Sequence, residues 1–280
     1  MSLRVVIVGP GALGQALGRT LARHGAEVGY LGREGPWGVG FPAEPDVALV
    51  AVKAYDTEAA MAAAAPFIGP APVVSLQNGL GNVPKIATRI DPSRVFGGST
   101  THAARRTAGG ELQHVALGET RIAPFQARGL ALAEEVADRF TAHGIATYVE
   151  RDLDRLVWRK LIASCGINAV TALYGLTNGD VLDHREALEL AIEASSEALE
   201  VARDTGVDVN DIDPASLVRG ILESTAANRA SMLQDVEAGR RTEAREINGA
   251  VSWICRERLG RETPVNDKLT TLLREHARSA

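Results

Sequence analysis

Residues 3–33 read LRVVIVGPGALGQALGRTLARHGAEVGYLGR, and the changes of pattern within this run decide the fold. LRVVIV is a β-branched run closed by Gly and Pro, as a buried strand requires. GALGQALGRTLARHG carries apolar residues at helical spacing and ends on a glycine. AEVGYLGR returns to a strand pattern. In GPGALG the residues Gly9, Gly11 and Gly14 have the G-x-G-x-x-G spacing, placed between the first strand and the helix. Such glycines permit a tight turn, close approach of a pyrophosphate to the backbone and close packing of helix on strand, while the helix N-terminus offers N–H groups and positive potential. The pattern alone is weak. At the first turn of a strand-helix-strand unit it points to dinucleotide binding through Gly9, Gly11, Ala12, Leu13 and Gly14.

The end of the second strand, YLGREG, bears on which dinucleotide binds. An acid there takes the ribose hydroxyls of NAD, which keeps Glu34 in play, whereas Arg33 suits a 2′-phosphate. Arg33 directly follows the Gly32 that ends the strand, and this favours NADP.

Outward from this unit, DVALVAVK, PVVSLQNG and RVFGGSTTHA read as strands separated by helical segments such as DTEAAMAAAAPFI, with Pro66 expected to stop that helix. ELQHVALGETRIAP reads as a hairpin added to the sheet, and ATYVE, after the helix ALAEEVADRFTAHG, as the last strand. From about residue 151 only helical periodicity remains. The expectation is an α/β dinucleotide-binding domain over residues 1–150 and an all-α domain over 151–280.

Composition narrows the functional classes. The 280 residues are 45% hydrophobic and 23% charged with a formal net charge of -5, and no dense Lys/Arg run points to nucleic acid. Two cysteines without metal-ligand spacing suit a reducing compartment, and no metal site is expected. No apolar run reads as a membrane span, and the N-terminus enters a strand rather than a signal peptide, so the expected location is the cytoplasm. Pairing into a homodimer is left open.

WRKLIASCGIN, residues 158–168, is the most informative stretch of the second half. As a helix it stacks Lys160, Ser164 and Asn168 at i, i+4 and i+8, among apolar residues that a helix normally buries. A buried ammonium is costly unless paired or facing a wet cavity, so the stripe asks for a cleft. Lys53, in VKAYDT, and Asn78, in LQNGLGN, fall at the C-terminal ends of neighbouring strands, where ligands collect in open α/β sheets.

Through GPGALG, VKAYDT, QNGLGN, THAARR, WRKL with GIN, ANRASMLQD and GRRTEAREINGAV, the chain resembles the ketopantoate reductases, or 2-dehydropantoate 2-reductases, along its whole length. The resemblance implies an N-terminal Rossmann domain, a C-terminal helical domain related to that of 6-phosphogluconate dehydrogenase, and NADPH-dependent reduction of 2-dehydropantoate to (R)-pantoate in the cleft between them. It makes Lys160 the catalytic lysine, which stabilises the developing oxyanion and supplies its proton. Glu243 becomes the acid that engages the substrate hydroxyl and orients Lys160; its bland alternative is a helix N-terminal acid after an N-cap at Thr242. Asn78, Ser164, Asn168, Asn228 and Ser231 become substrate-binding residues, Asn228 and Ser231 lying three apart on a predicted helix. Lys53, Arg33 and Asn78 fall on the cofactor side. His102, in THAARR, receives no chemistry.

Two departures from the family pattern stand out. Ser164 replaces an asparagine and reaches less far, which leaves room for another 2-oxo acid as substrate. The segment 36–45 is shorter than usual, which bears on the adenosine end of the cofactor. A dinucleotide-binding regulator without turnover is the alternative from a different class.

Overall fold

The computed structural model describes residues 2–37, 40–107 and 109–279, apart from the side chains of 276–279, so the short segment 36–45 includes Gly38 and Val39, which lie outside the described residues. The chain divides into two compact units, one of residues 1–77 and 81–156, the other of residues 78–80 and 157–280.

The first unit contains β1 (Arg4–Val8), β2 (Glu27–Gly32), β3 (Gly35–Trp37), β4 (Val47–Val50), β5 (Val73–Ser75), β6 (Val95–Thr100), β7 (Ala103–Arg106), β8 (Leu112–Ala116), β9 (Thr120–Pro124) and β10 (Thr147–Val149). Its helices are α1 (Ala12–Arg23), α2 (Thr57–Ile68), α3 (Asn82–Ala87) and α4 (Leu130–Ala142). Eight strands form one sheet in the order β10-β9-β6-β5-β4-β1-β2-β3, parallel from β6 through β2 and antiparallel where β9 meets β6 and β3 meets β2. Successive side chains of a strand point to opposite faces, and along β1 this sends Val5 and Ile7 into one apolar layer with Leu17, Leu21 and Phe140. Val6 and Val8 enter the other, with Met61 and Ile68. Cover on both faces explains why Val5–Val8 of β1, all of β4 and Val73–Val74 of β5 are continuous apolar runs rather than alternating. The strand order reverses direction at β1 and β4, which opens a crevice beyond their C-terminal ends, the arrangement of a Rossmann-type domain.

Three expectations need correction. ELQHVALGETRIAP is not a hairpin on the sheet: β8 pairs with β7 as a separate two-stranded ribbon, while β9 joins the sheet against β6. The reason lies in side-chain burial, since β9 is mostly buried whereas β8 is half-exposed or exposed along its length. Pro66 does not stop its helix, because α2 continues to Ile68. A proline keeps a helical φ, so near the end of α2 the helix passes through it at the cost of the bond its own N–H would have made, and Gly69, at φ 56°, ends the helix instead. Finally, a helix long and apolar enough to cross a membrane does exist among the described residues, at Leu153–Tyr174, but 67% of its apolar window is buried inside the protein, as in a core helix.

That helix, α5 (Leu153–Tyr174), leads the chain into the second unit, followed by α6 (Asn178–Asp183), α7 (Arg185–Asp204), α8 (Pro214–Ser224), α9 (Ser231–Glu237), α10 (Asn248–Ile254) and α11 (Pro264–Ser279). Leu161, Ile162, Cys165 and Val170 of α5 pack with Ala191, Ala194 and Ala198 of α7 and Leu269 and Leu273 of α11. Alanines on α7 and a glycine on α5 let the two backbones approach, and a side chain at Gly166 would collide with the Ala191 carbonyl. Short connections are fixed by their own caps: Thr177 and Asp180 form a capping box, and Asp213 accepts from the Ser216 N–H at 2.8 Å ahead of Pro214.

Candidate active site

In the first unit the glycine loop joins β1 to α1. Gly9 has φ 98°, a left-handed conformation suited to glycine, and its N–H donates to the Leu31 carbonyl at 3.0 Å. A Cβ at Gly9 would strike the main chain at Val52, and one at Gly14 would strike the Gly9 carbonyl. Gly11 differs, because nothing lies within 4 Å of where its Cβ would be. That open space borders the N-terminus of α1, which has no acidic residue in its first turn and no side-chain cap, so its N–H groups and positive end are available to an anion. A dinucleotide pyrophosphate fits this cradle, which Gly9, Gly11, Ala12, Leu13 and Gly14 build.

Arg33 follows β2, is 87% exposed, and donates to Asp56 Oδ2 at 3.0 Å. This contact holds its guanidinium above its usual proton affinity. Lys53 follows β4 and is half-buried; its carbonyl accepts from the Asp56 N–H at 2.8 Å. Arg33 and Lys53 are therefore linked through Asp56, whose carboxylate accepts from the Arg33 guanidinium and whose N–H donates to the Lys53 carbonyl.

In the second unit the polar stripe of α5 has a clear environment. From Leu161 to Val170 every residue is buried except Ser164 and Asn168, and Lys160 at the head of the stripe is likewise partly open. Burial pushes the Lys160 ammonium below its usual lysine range, and the negative charge of Glu243 opposes that shift. Glu243 is 4% exposed and accepts from Asn78 Nδ2 at 3.4 Å. Asn78, Gly79 and Leu80 thus belong with the helical unit although they follow β5.

The segment holding Glu243 is not the helix N-terminus that Thr242 suggested. Glu243 lies in a turn whose carbonyl accepts from the Glu246 and Ile247 N–H groups at 3.0 and 2.9 Å, and α10 begins only at Asn248. Nor do Asn228 and Ser231 share a helix: Ser231 is the first residue of α9 and Asn228 precedes it in an irregular connection. The position of Asn228 is set by its carbonyl, which accepts from the Asn178 N–H at 3.0 Å, and by its N–H, which donates to Thr225 at 2.8 Å. Both side chains are half-exposed. Among the described residues the side chains of Ser164, Asn168, Asn228 and Ser231 make no hydrogen bond within the protein, so their donors and acceptors are available to a ligand.

Sequence reading missed Asn178. It is 2% exposed, donates from Nδ2 to Thr225 Oγ1 at 2.7 Å, and leaves Oδ1 without a partner. In the text it is one letter of a turn signal, TNGD, and only the fold shows that it holds the Asn228 loop. His102 sits 3.1 Å from His114, Nδ1 to Nε2, and burial lowers the proton affinity of both rings.

Similarity to known proteins agrees with this geometry. Residues 40–127 match the model of "Ketopantoate reductase PanE/ApbA" and residues 152–277 that of "Ketopantoate reductase PanE/ApbA C terminal". The chain is 34% identical to the 2-dehydropantoate 2-reductase of Halobacterium salinarum, over 91% of this chain and 93% of that one. It is 33% identical to that of Archaeoglobus fulgidus, over 97% of each. The crystal structure of 2-dehydropantoate 2-reductase from Geobacter metallireducens matches with a TM-score of 0.85 at 27% identity, covering 98% of this chain and 99% of that one. The ordered motifs, both units and these relatives agree: the chain belongs to the ketopantoate reductase family.

Proposed function

We propose that the chain reduces the C2 carbonyl of 2-dehydropantoate to the alcohol of (R)-pantoate, on the route to pantothenate and coenzyme A, with Lys160 as proton donor and NADPH as cofactor. Relatives named 2-dehydropantoate 2-reductase, at 33–34% identity over most of the chain, support the reaction above the two alternatives, a different 2-oxo acid and a regulator without turnover. When bound, NADPH supplies a hydride to the carbonyl carbon. The chain's own residues do the rest. The glycine loop and the N-terminus of α1 neutralise the pyrophosphate, and Arg33 pairs with the 2′-phosphate. The negative charge that develops on the substrate oxygen is met by the Lys160 ammonium, which then transfers a proton to it. Burial helps here, because an ammonium pushed below its ordinary range is a stronger acid. Glu243 opposes the shift and so favours the charged donor, and Asn78 orients Glu243. Ser164, Asn168, Asn228 and Ser231 supply polar groups for the substrate carboxylate and hydroxyl. The two buried free thiols, Cys165 and Cys255, suit a cytoplasmic location.

The observation that carries this reading is the stripe on α5, an ammonium, a hydroxyl and an amide at the partly open positions of an otherwise buried run. Replacement of Lys160 by alanine tests it. Turnover of 2-dehydropantoate should be largely lost while NADPH still quenches or shifts intrinsic fluorescence on binding; unchanged turnover rejects the role.

A further inference from the structure

The second unit buries a chain of polar side chains that the proposed reaction does not use. Asn248, fully buried at the start of α10, donates from Nδ2 to the Cys165 carbonyl at 2.8 Å and to Asn266 Oδ1 at 2.9 Å. Asn266 donates onward to the Ala194 carbonyl at 3.0 Å and to Glu197 Oε2 at 2.9 Å. The chain of bonds runs from α5 through α10 and α11 to α7. It is incomplete, for Asn248 Oδ1 has no partner. An unmet buried acceptor costs stability, so stability alone does not account for an asparagine at this position.

The two ends of the Asn248 contact carry the reacting groups. Cys165 adjoins Ser164 on the same helix as Lys160 and Asn168. Asn248 directly follows the turn of Glu243, whose carbonyl already accepts from Glu246 and Ile247. Asn248 therefore joins the main chain that bears Lys160 to the main chain that bears Glu243. Attraction between the two charges weakens with separation, so the join governs how firmly Lys160 keeps its proton.

We propose that Asn248 is a positioning residue of the reductase, one that touches no substrate and holds α5 against the Glu243 turn so that Lys160 keeps its charged neighbour. The inference rests on the role given to Lys160 above. Its test is Asn248→Ala in the full chain, with kcat and KM followed from neutral to alkaline pH. Expected are a fall in kcat of about tenfold or more, an unchanged KM for NADPH, and an alkaline limb of kcat moved to lower pH, because burial of Lys160 then meets less opposition. Glu197→Gln, at the far end of the same network, should lower the thermal midpoint and leave the limb where the parent protein has it. If Asn248→Ala does not fold, Asn266→Ser removes the acceptor and spares Asn248, and a shift of the same sign is expected. A folded Asn248→Ala or Asn266→Ser protein with normal kcat and a normal limb overturns the proposal. A parent protein with no alkaline limb would instead overturn the role of Lys160.

Discussion

Asn78 and Glu243 are 165 residues apart in the chain and are joined by a hydrogen bond of 3.4 Å from Nδ2 to Oε2. The main chain repeats the link two residues on, where the Leu80 N–H donates to the Glu246 carbonyl at 3.1 Å. Between them Gly79 has φ 78°, and a Cβ there would collide with the same Glu246 carbonyl. The loop after β5 is therefore shaped to lie flat on the turn that carries Glu243, and a conformation open to glycine is what allows it.

Because Asn78 donates to an oxygen, Glu243→Gln keeps one acceptor for it while removing the charge. Burial already lowers the proton affinity of Lys160, and Glu243 is the influence that raises it. Without that influence Lys160 should lose its proton at lower pH. Activity that needs the ammonium is present below the lysine pKa and lost as pH rises through it, so the alkaline limb of kcat should move to lower pH. A pH profile of kcat for the variant beside the parent checks this, and coincident limbs would count against the Lys160–Glu243 coupling.

The glycine loop separates folding from binding. Gly9→Ala forces a side chain into left-handed backbone against the main chain at Val52, and should cost about 1–3 kcal/mol or more of stability. Gly11→Ala meets nothing within 4 Å and has φ -71°, so its thermal midpoint should match the parent. The added methyl occupies the space assigned to the pyrophosphate, and NADPH affinity should fall. Thermal unfolding with cofactor titration of both variants tests the pair; a Gly11→Ala protein with parental NADPH affinity would place the phosphates elsewhere.

How much of this was legible in the sequence depends on the kind of signal. Periodicity is local, so the β1-α1-β2 unit, the helical second half and the stripe of Lys160, Ser164 and Asn168 could be read directly. Strand partners are not local. β8 and β9 look like neighbours in the text, yet β9 pairs with β6 and β8 with β7. Helix boundaries failed where main-chain bonds of turns replace helical ones, as in the connection through Asn228 and the turn of Glu243. Asn178 and Asn248 were illegible for a further reason: a buried asparagine is spelled like an exposed one, and its partners, at Thr225 and Cys165, lie 47 and 83 residues away.

Cofactor choice is tested at Arg33. Its guanidinium is exposed and held on one side by Asp56 at 3.0 Å, leaving other donors for a 2′-phosphate. Removal of a charge-assisted bond typically costs about 1.5–3 kcal/mol, which is roughly tenfold or more in affinity. Arg33→Ala should therefore raise KM for NADPH by about that factor while KM for NADH stays near its parental value. The comparison between the two cofactors is the readout, since damage to the loop would weaken both alike. Equal effects on both would mean that Arg33 does not read the phosphate.

The lysine proposed as proton donor should burden the fold. With burial as the larger cause, the folded-state pKa of Lys160 lies below that of the unfolded chain, and the opposing charge of Glu243 does not restore it. In the window between the two values the unfolded state holds more protons, so stability rises with pH there. The cost of burying the ammonium is fully present below the folded pKa and is relieved as pH climbs toward the unfolded value. Lys160→Met keeps a long apolar stem and removes the charge. At neutral pH it should be more stable than the parent, with the difference narrowing as the solution becomes alkaline, and it should have lost turnover. Urea unfolding of both proteins at neutral and alkaline pH measures this directly. A variant less stable than the parent at neutral pH would show that Lys160 is a net structural partner of Glu243, rather than an acid held in an unfavourable place for the sake of the reaction.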